Sequence, residues 1–218
     1  MSCVTLPNIF KFVQASDDQF DDAHKSNHCL DVLELAFRFF WTIGEIDGLS
    51  QDRTKAIVEA SVLLHEQKDR KREKPLNEED MFQAIMKDGF SKEETEIINW
   101  LISYCSFSKS KEPGRYLPEM KKYEKIMNLL SSADLAEAVN EKSLYRSHEY
   151  HRVRMIRNGE ESNEKECWKH VKIFYNDPTN GFFARLNAIS IPEIRESLKD
   201  TLEETDKRLN EMLAKFNL

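Results

Sequence analysis

Six histidines occur in 218 residues, and the way two of them sit among acidic groups suggests chemistry. His65 and Glu66 follow directly on the apolar run Ala60-Ser61-Val62-Leu63-Leu64. Apolar residues on a helix face are normally buried, so this pair begins life beside a core. A carboxylate there needs a partner, and a metal ion is one of the few that also employs the imidazole. Two other stretches carry matching residue types: His24 and His28 within Asp22-Ala23-His24-Lys25-Ser26-Asn27-His28, and Asp134 within Ser132-Ala133-Asp134-Leu135. Taken singly, each has an ordinary structural explanation. A histidine beside an apolar stripe is usually hydrogen-bonded, Asp134 could cap a helix, and His65 could sit on the last carbonyls of one. The case for a site rests on the set.

The elements needed to bring the set together are helical. Gly and Pro number only six each, so little punctuates the chain, and strand-like alternation is almost absent. Periodicity predicts a short helix within 6–15 and a helix from about Ala23 to Ile46. A third helix starts after a Ser50 N-cap and runs through Leu64. Asn77-Glu78-Glu79-Asp80 opens a fourth helix, which Asp88-Gly89 stops. Ser91-Lys92-Glu93-Glu94 has the form of a capping box and opens a fifth, to about Tyr104. Residues 106–118 read as a loop. Helices of about 119–140, 142–157 and 163–175 follow, then a turn at Asp177-Pro178-Thr179-Asn180-Gly181 and one long helix from Ser190-Ile191-Pro192-Glu193 to the C-terminus. The expectation is an all-α protein, one domain over 1–218, with its core at about 20–140 and a helical extension at about 141–218.

Bulk properties narrow the classes. The net charge of −7 argues against broad nucleic-acid binding, which needs a basic face. Cys3, Cys29, Cys105 and Cys167 form no C-x-x-C pair, which favours free thiols in a reducing compartment. No stretch approaches the about 18 apolar residues of a membrane span, and the first residues lack a secretory pattern. The default expectation is a cytoplasmic protein with no membrane partner. His65-Glu66-Gln67-Lys68-Asp69 falls short of the zincin pattern because Asp69 stands where the second histidine belongs. Cys29 beside His28 makes no thiol–imidazole dyad, since helix neighbours point about 100° apart.

In order and spacing the three pieces resemble the HD-domain metal-dependent phosphohydrolases. The pattern is carried by His28-Cys29-Leu30-Asp31-Val32, then, 37 residues on from His28, by Ser61-Val62-Leu63-Leu64-His65-Glu66, then by Ser132-Ala133-Asp134-Leu135. The resemblance covers roughly 20–140. It departs from the family at Glu66, which stands where the family has aspartate, and at Ser132, which replaces a common acidic residue. Glutamate is one methylene longer, so it reaches a shared ion only if the helix end or the ion shifts.

The resemblance implies His28, His65, Glu66 and Asp134 as ligands of one divalent ion per chain, with manganese, iron, cobalt, nickel and zinc all compatible with two nitrogens and two oxygens. No histidine lies between 66 and 134, which by resemblance favours one metal and hydrolysis. The implied activity is hydrolysis of a nucleotide-type phosphomonoester or phosphodiester through a metal-bound water. Asp69, with Glu66, is the candidate catalytic residue, orienting that water or shuttling a proton; its alternative role is an ion pair in a solvated turn. Lys68, Arg70, Lys71 and Arg72, joined by Lys109 and Lys111, are candidates to hold substrate phosphate, and His24 to line the pocket. The competing class is a catalytically silent scaffold that binds a nucleotide or a protein partner. Homo-oligomer formation stays open.

Overall fold

The computed structural model describes residues 4–19, 25–68 and 76–218. Among them no strand forms, and the protein is all-α. The chain divides into two compact units, Met1–Asp134 and Leu135–Leu218.

The first unit is built around a helix whose C-terminal half is buried on every side. Helices α1 (Pro7–Gln14), α2 (Ser26–Arg38), α3 (Gln51–Leu64), α4 (Glu78–Lys87) and α5 (Lys92–Tyr104) precede α6 (Glu124–Glu137), which the unit boundary cuts between Asp134 and Leu135. Every residue of α3 from Ile57 to Leu64 is buried. A helix without a wet face is the centre of a core, and α1, α2 and α5 all pack on α3. Glu59 lies on this helix with 2 % exposure. It is satisfied because its carboxylate accepts from the Thr5 amide and hydroxyl, each at 2.6 Å.

Helix starts follow the local chemistry. The Ser50 hydroxyl accepts from the Arg53 amide, the Asn77 side chain from the Asp80 amide, and Ser91 and Glu94 make a reciprocal capping box. Other starts are capped from a distance. Asp17 accepts from the amide and hydroxyl of Ser26 at 2.7 Å each, which satisfies the start of α2. Asp88 does the same for α1, accepting from the Asn8 and Ile9 amides at 3.1 and 2.8 Å.

Several expected boundaries move. The helix expected over Ala23–Ile46 ends at Arg38 and tightens into a 3₁₀ turn, Phe40–Ile43, before Gly44 takes φ +60°. The 106–118 loop carries 3₁₀ turns at Phe107–Lys109 and Pro113–Tyr116, and another at Pro118–Tyr123 shortens the next helix at its start. Trp100 donates its indole N–H to the Gly114 carbonyl at 2.9 Å, and Arg115 donates to the Tyr104 carbonyl at 2.7 Å, so this segment is tied to α5.

The second unit holds α7 (Glu141–Arg157), α8 (Glu164–Asn176), α9 (Phe182–Ala188), α10 (Pro192–Ser197) and α11 (Lys199–Lys215). Helices α7, α8 and α11 pack on one another, burying Leu144, Trp168, Val171, Leu209 and Leu213. The single C-terminal helix expected from the sequence is two, broken at Leu198, and α9 occupies residues that carried no helix assignment. No helix among the described residues is long and apolar enough to cross a membrane.

Candidate metal centre

The three ligand-bearing pieces meet within the first unit. His28 lies in the first turn of α2, where the chain leaves the Asp17-capped start. Asp134 projects from α6. His65 and Glu66 begin a 3₁₀ turn, His65–Lys68, that continues α3. Successive residues in the tighter turn lie about 120° apart instead of about 100°, and the Glu66 carboxylate reaches the common centre.

One atom from each residue converges: His28 Nε2, His65 Nε2, one Glu66 oxygen and one Asp134 oxygen all lie within 4.8 Å of one another. The imidazole nitrogens are 3.2 Å apart. Glu66 Oε1 lies 3.4 Å from each of them, and Asp134 Oδ1 lies 3.3 Å from His28 and 3.5 Å from His65. A charge-assisted N–H···O⁻ bond closes to about 2.8 Å, so these separations are long for direct pairing. Ligands held about 2.1 Å from a shared cation are separated by roughly 3.0–3.4 Å in octahedral or tetrahedral geometry. The observed separations fit the edges of such a polyhedron. The cluster can hold a metal ion.

The surroundings prepare His65 for that role. Its Nδ1 lies 2.6 Å from the Val62 carbonyl, which can only accept, so Nδ1 carries a hydrogen and Nε2 is the nitrogen turned to the centre, where a cation would displace its proton. His28, His65 and Glu66 are buried, and the Asp134 side chain keeps 21 % exposure, which leaves the centre reachable. Burial works against protonation of His65. The nearby Asp134, Cys29 and Glu66 side chains outweigh it and hold its pKa well above the usual imidazole value. Burial likewise disfavours an ionised Asp134, yet the His28 and His65 rings beside it keep its carboxyl well below the usual carboxylate range. The cluster therefore attracts positive charge.

A cleft of about 190 Å³ opens beside His65, lined by Lys68, Ile102, Ser103, Ser106, Ser108, Lys109 and Glu112. Lys68 and Lys109, both expected on the phosphate, face this space. Lys111 is exposed and contributes nothing to the lining. The side chains of His24, Asp69, Arg70, Lys71 and Arg72 lie outside the described residues. Sequence reasoning missed Ser103 and Glu112 as neighbours of the site, and it also missed Cys105. Burial pushes the Cys105 thiol up to about 12, with smaller contributions of both signs from His65, Asp134 and Glu66, so it stays protonated and is no thiolate ligand. A separate cavity of about 390 Å³, lined by Trp100, Arg115, Tyr116, Leu117 and Met127 among others, shares no residue with the cluster.

Among the described residues no other group of three or more histidine, cysteine or acidic side chains converges in this way. Compared with protein-family models, curated proteins and solved structures, the chain matches none.

Proposed function

We propose that the protein is a metal-dependent phosphohydrolase of the HD type that cleaves a small, nucleotide-type phosphoester in the cytoplasm. The observation that carries this reading is the convergence of His28, His65, Glu66 and Asp134 at polyhedron-edge distances beside a cleft lined with lysine and serine. A divalent cation bound there supplies an acidified water and polarises a phosphoryl oxygen. The chain supplies the rest. Val62 fixes the His65 tautomer, and Lys68 and Lys109 offer positive charge to the non-bridging phosphate oxygens. Ser103, Ser106 and Ser108 add hydroxyl donors on the cleft wall. Asp69, one residue beyond Lys68 in sequence, is assigned to orient the attacking water or take its proton.

The reading is tested by elemental analysis of the purified protein, followed by a panel of nucleotides and an aryl phosphodiester with manganese, cobalt, nickel and zinc. Bound transition metal together with phosphate release supports it. In that assay Asp69→Asn is expected to lower turnover by roughly a hundredfold while metal content stays unchanged. Metal-free protein with no turnover under any ion overturns the hydrolase and leaves the silent scaffold.

A further inference from the structure

The cleft beside His65 contains an acid where an anion site would be expected to hold only cations and neutral donors. Lys109 Nζ lies 2.6 Å from Glu112 Oε1, and both residues line the cleft. Lys68 is likewise held, 3.2 Å from Glu78 Oε1, but Glu78 is 58 % exposed and does not line the cleft. The two lysines thus differ. Lys68 has its counter-charge off the cleft, whereas Lys109 has its own, 41 % exposed, on the cleft wall.

Resting on the phosphohydrolase reading, we propose that Glu112 is a specificity residue that limits the negative charge the cleft accepts, selecting a single phosphoryl group over substrates with two or more. A divalent cation would balance Glu66 and Asp134, and among the described lining residues the two lysines set against Glu112 leave one net positive charge. That favours the smaller negative charge of one phosphoryl group over that of two. A second phosphoryl group finds no further lysine or arginine among the described cleft residues and lies against the Glu112 carboxylate, where like charges repel. The space agrees with the charge, since about 190 Å³ seats a phosphoryl group and a few attached atoms. The hydroxyls of Ser106 and Ser108, 3.2 Å apart, remain to bind oxygens without adding charge. Lys109 is released from Glu112 only when an anion arrives to replace the carboxylate, so the pair also keeps the lysine positioned before binding.

The test is isothermal titration of the full chain at a fixed free manganese concentration with two probes, inorganic phosphate and fructose 1,6-bisphosphate. Wild type is expected to bind phosphate more tightly. Glu112→Gln, which keeps the shape and removes the charge, is expected to tighten the bisphosphate roughly tenfold and phosphate only about twofold, and so to shift the preference between them. Lys109→Met is expected to weaken both. If Glu112→Gln lowers the melting temperature and weakens both probes equally, Glu112 is merely bracing the 109–112 turn and the proposal falls. Binding is read without turnover, so the charge preference is measurable even if no phosphoester is cleaved; absence of hydrolysis then counts against the enzyme reading alone.

Discussion

Among the described residues imidazoles fall in two groups, one in each unit, with opposite electrostatic surroundings. In the first unit His28 and His65 meet Glu66 and Asp134, and their Nε2 atoms aim at one point. In the second unit His151 of α7 stacks face to face on His170 of α8, with centroids 4.5 Å apart and planes 13° from parallel. Its neighbour His148 leans on Trp168 at 4.9 Å and reaches Glu164 at 3.1 Å. Parallel rings cannot direct their lone pairs at a shared ion, and the charged groups acting on His151 are His170, Arg154 and His148. Burial first, then these neighbours, push His151 down to about 4. The carboxylates acting on His65 do the reverse. What separates a metal site from a packed histidine cluster is therefore the acid content and the aim of the nitrogens. The number of imidazoles does not decide it.

The largest expected break in this comparison comes from the quartet. His65→Ala or Asp134→Ala should reduce metal affinity by at least roughly a hundredfold and abolish hydrolysis, whereas His151→Ala or His170→Ala should leave metal content intact. Elemental analysis of the four variants, with circular dichroism to confirm folding, checks this. Full metal occupancy in either quartet variant contradicts the ligand assignment.

A smaller effect separates the units by stability. Gly181 has an ordinary φ of −80°, but an added Cβ would lie 2.1 Å from the Phe174 carbonyl and 2.5 Å from that of Asp177. Backbone oxygens cannot step aside as a side chain can, so Gly181→Ala should cost about 2–3 kcal/mol. The cost should appear as a lowered urea midpoint for the second unit while metal stoichiometry is retained. Loss of metal in this variant would show that the units do not behave separately.

The smallest effect is a pair of opposite pH slopes in metal-free protein. His151 has a folded pKa of about 4, below its unfolded value, so its neutral form favours folding. That contribution is complete above about pH 6.5 and is lost as pH falls towards 4. His151 is only partly buried, and solvent screening reduces the contribution to about 1 kcal/mol. His65 is raised above its unfolded value, so its contribution is present below about pH 6.5 and disappears as pH rises through the folded pKa. Denaturation between pH 4 and 7 should therefore lose its acid-side slope in His151→Phe. An unchanged slope would remove His151 as its source.

How much of this was legible in the sequence depended on distance along the chain. The starts of α3, α4 and α5 were readable because Ser50, Asn77 and Ser91 cap amides three residues away. The four ligand types were readable from three short stretches, although spacing could not show that their atoms would meet. The break at Leu198 was not readable, since neither glycine nor proline marks it, and the α9 helix lay hidden behind an Asx turn in which Asp177 accepts from Thr179 and Asn180. The cleft walls were the least accessible. Ser103 and Glu112 share a cleft with His65, Ser103 through the packing of α5 on the turn after α3, a long-range arrangement that no local pattern encodes.

The bond between His65 Nδ1 and the Val62 carbonyl has one more consequence. Val62 lies in the last turn of α3, where carbonyls run out of helical donors, so the ring that faces the centre also closes the end of the central helix. If the quartet takes up an ion as proposed, uptake would tighten that helix terminus in the same event. Amide hydrogen exchange across 62–68 should slow when metal is added, while exchange in α7 and α8 stays as it was.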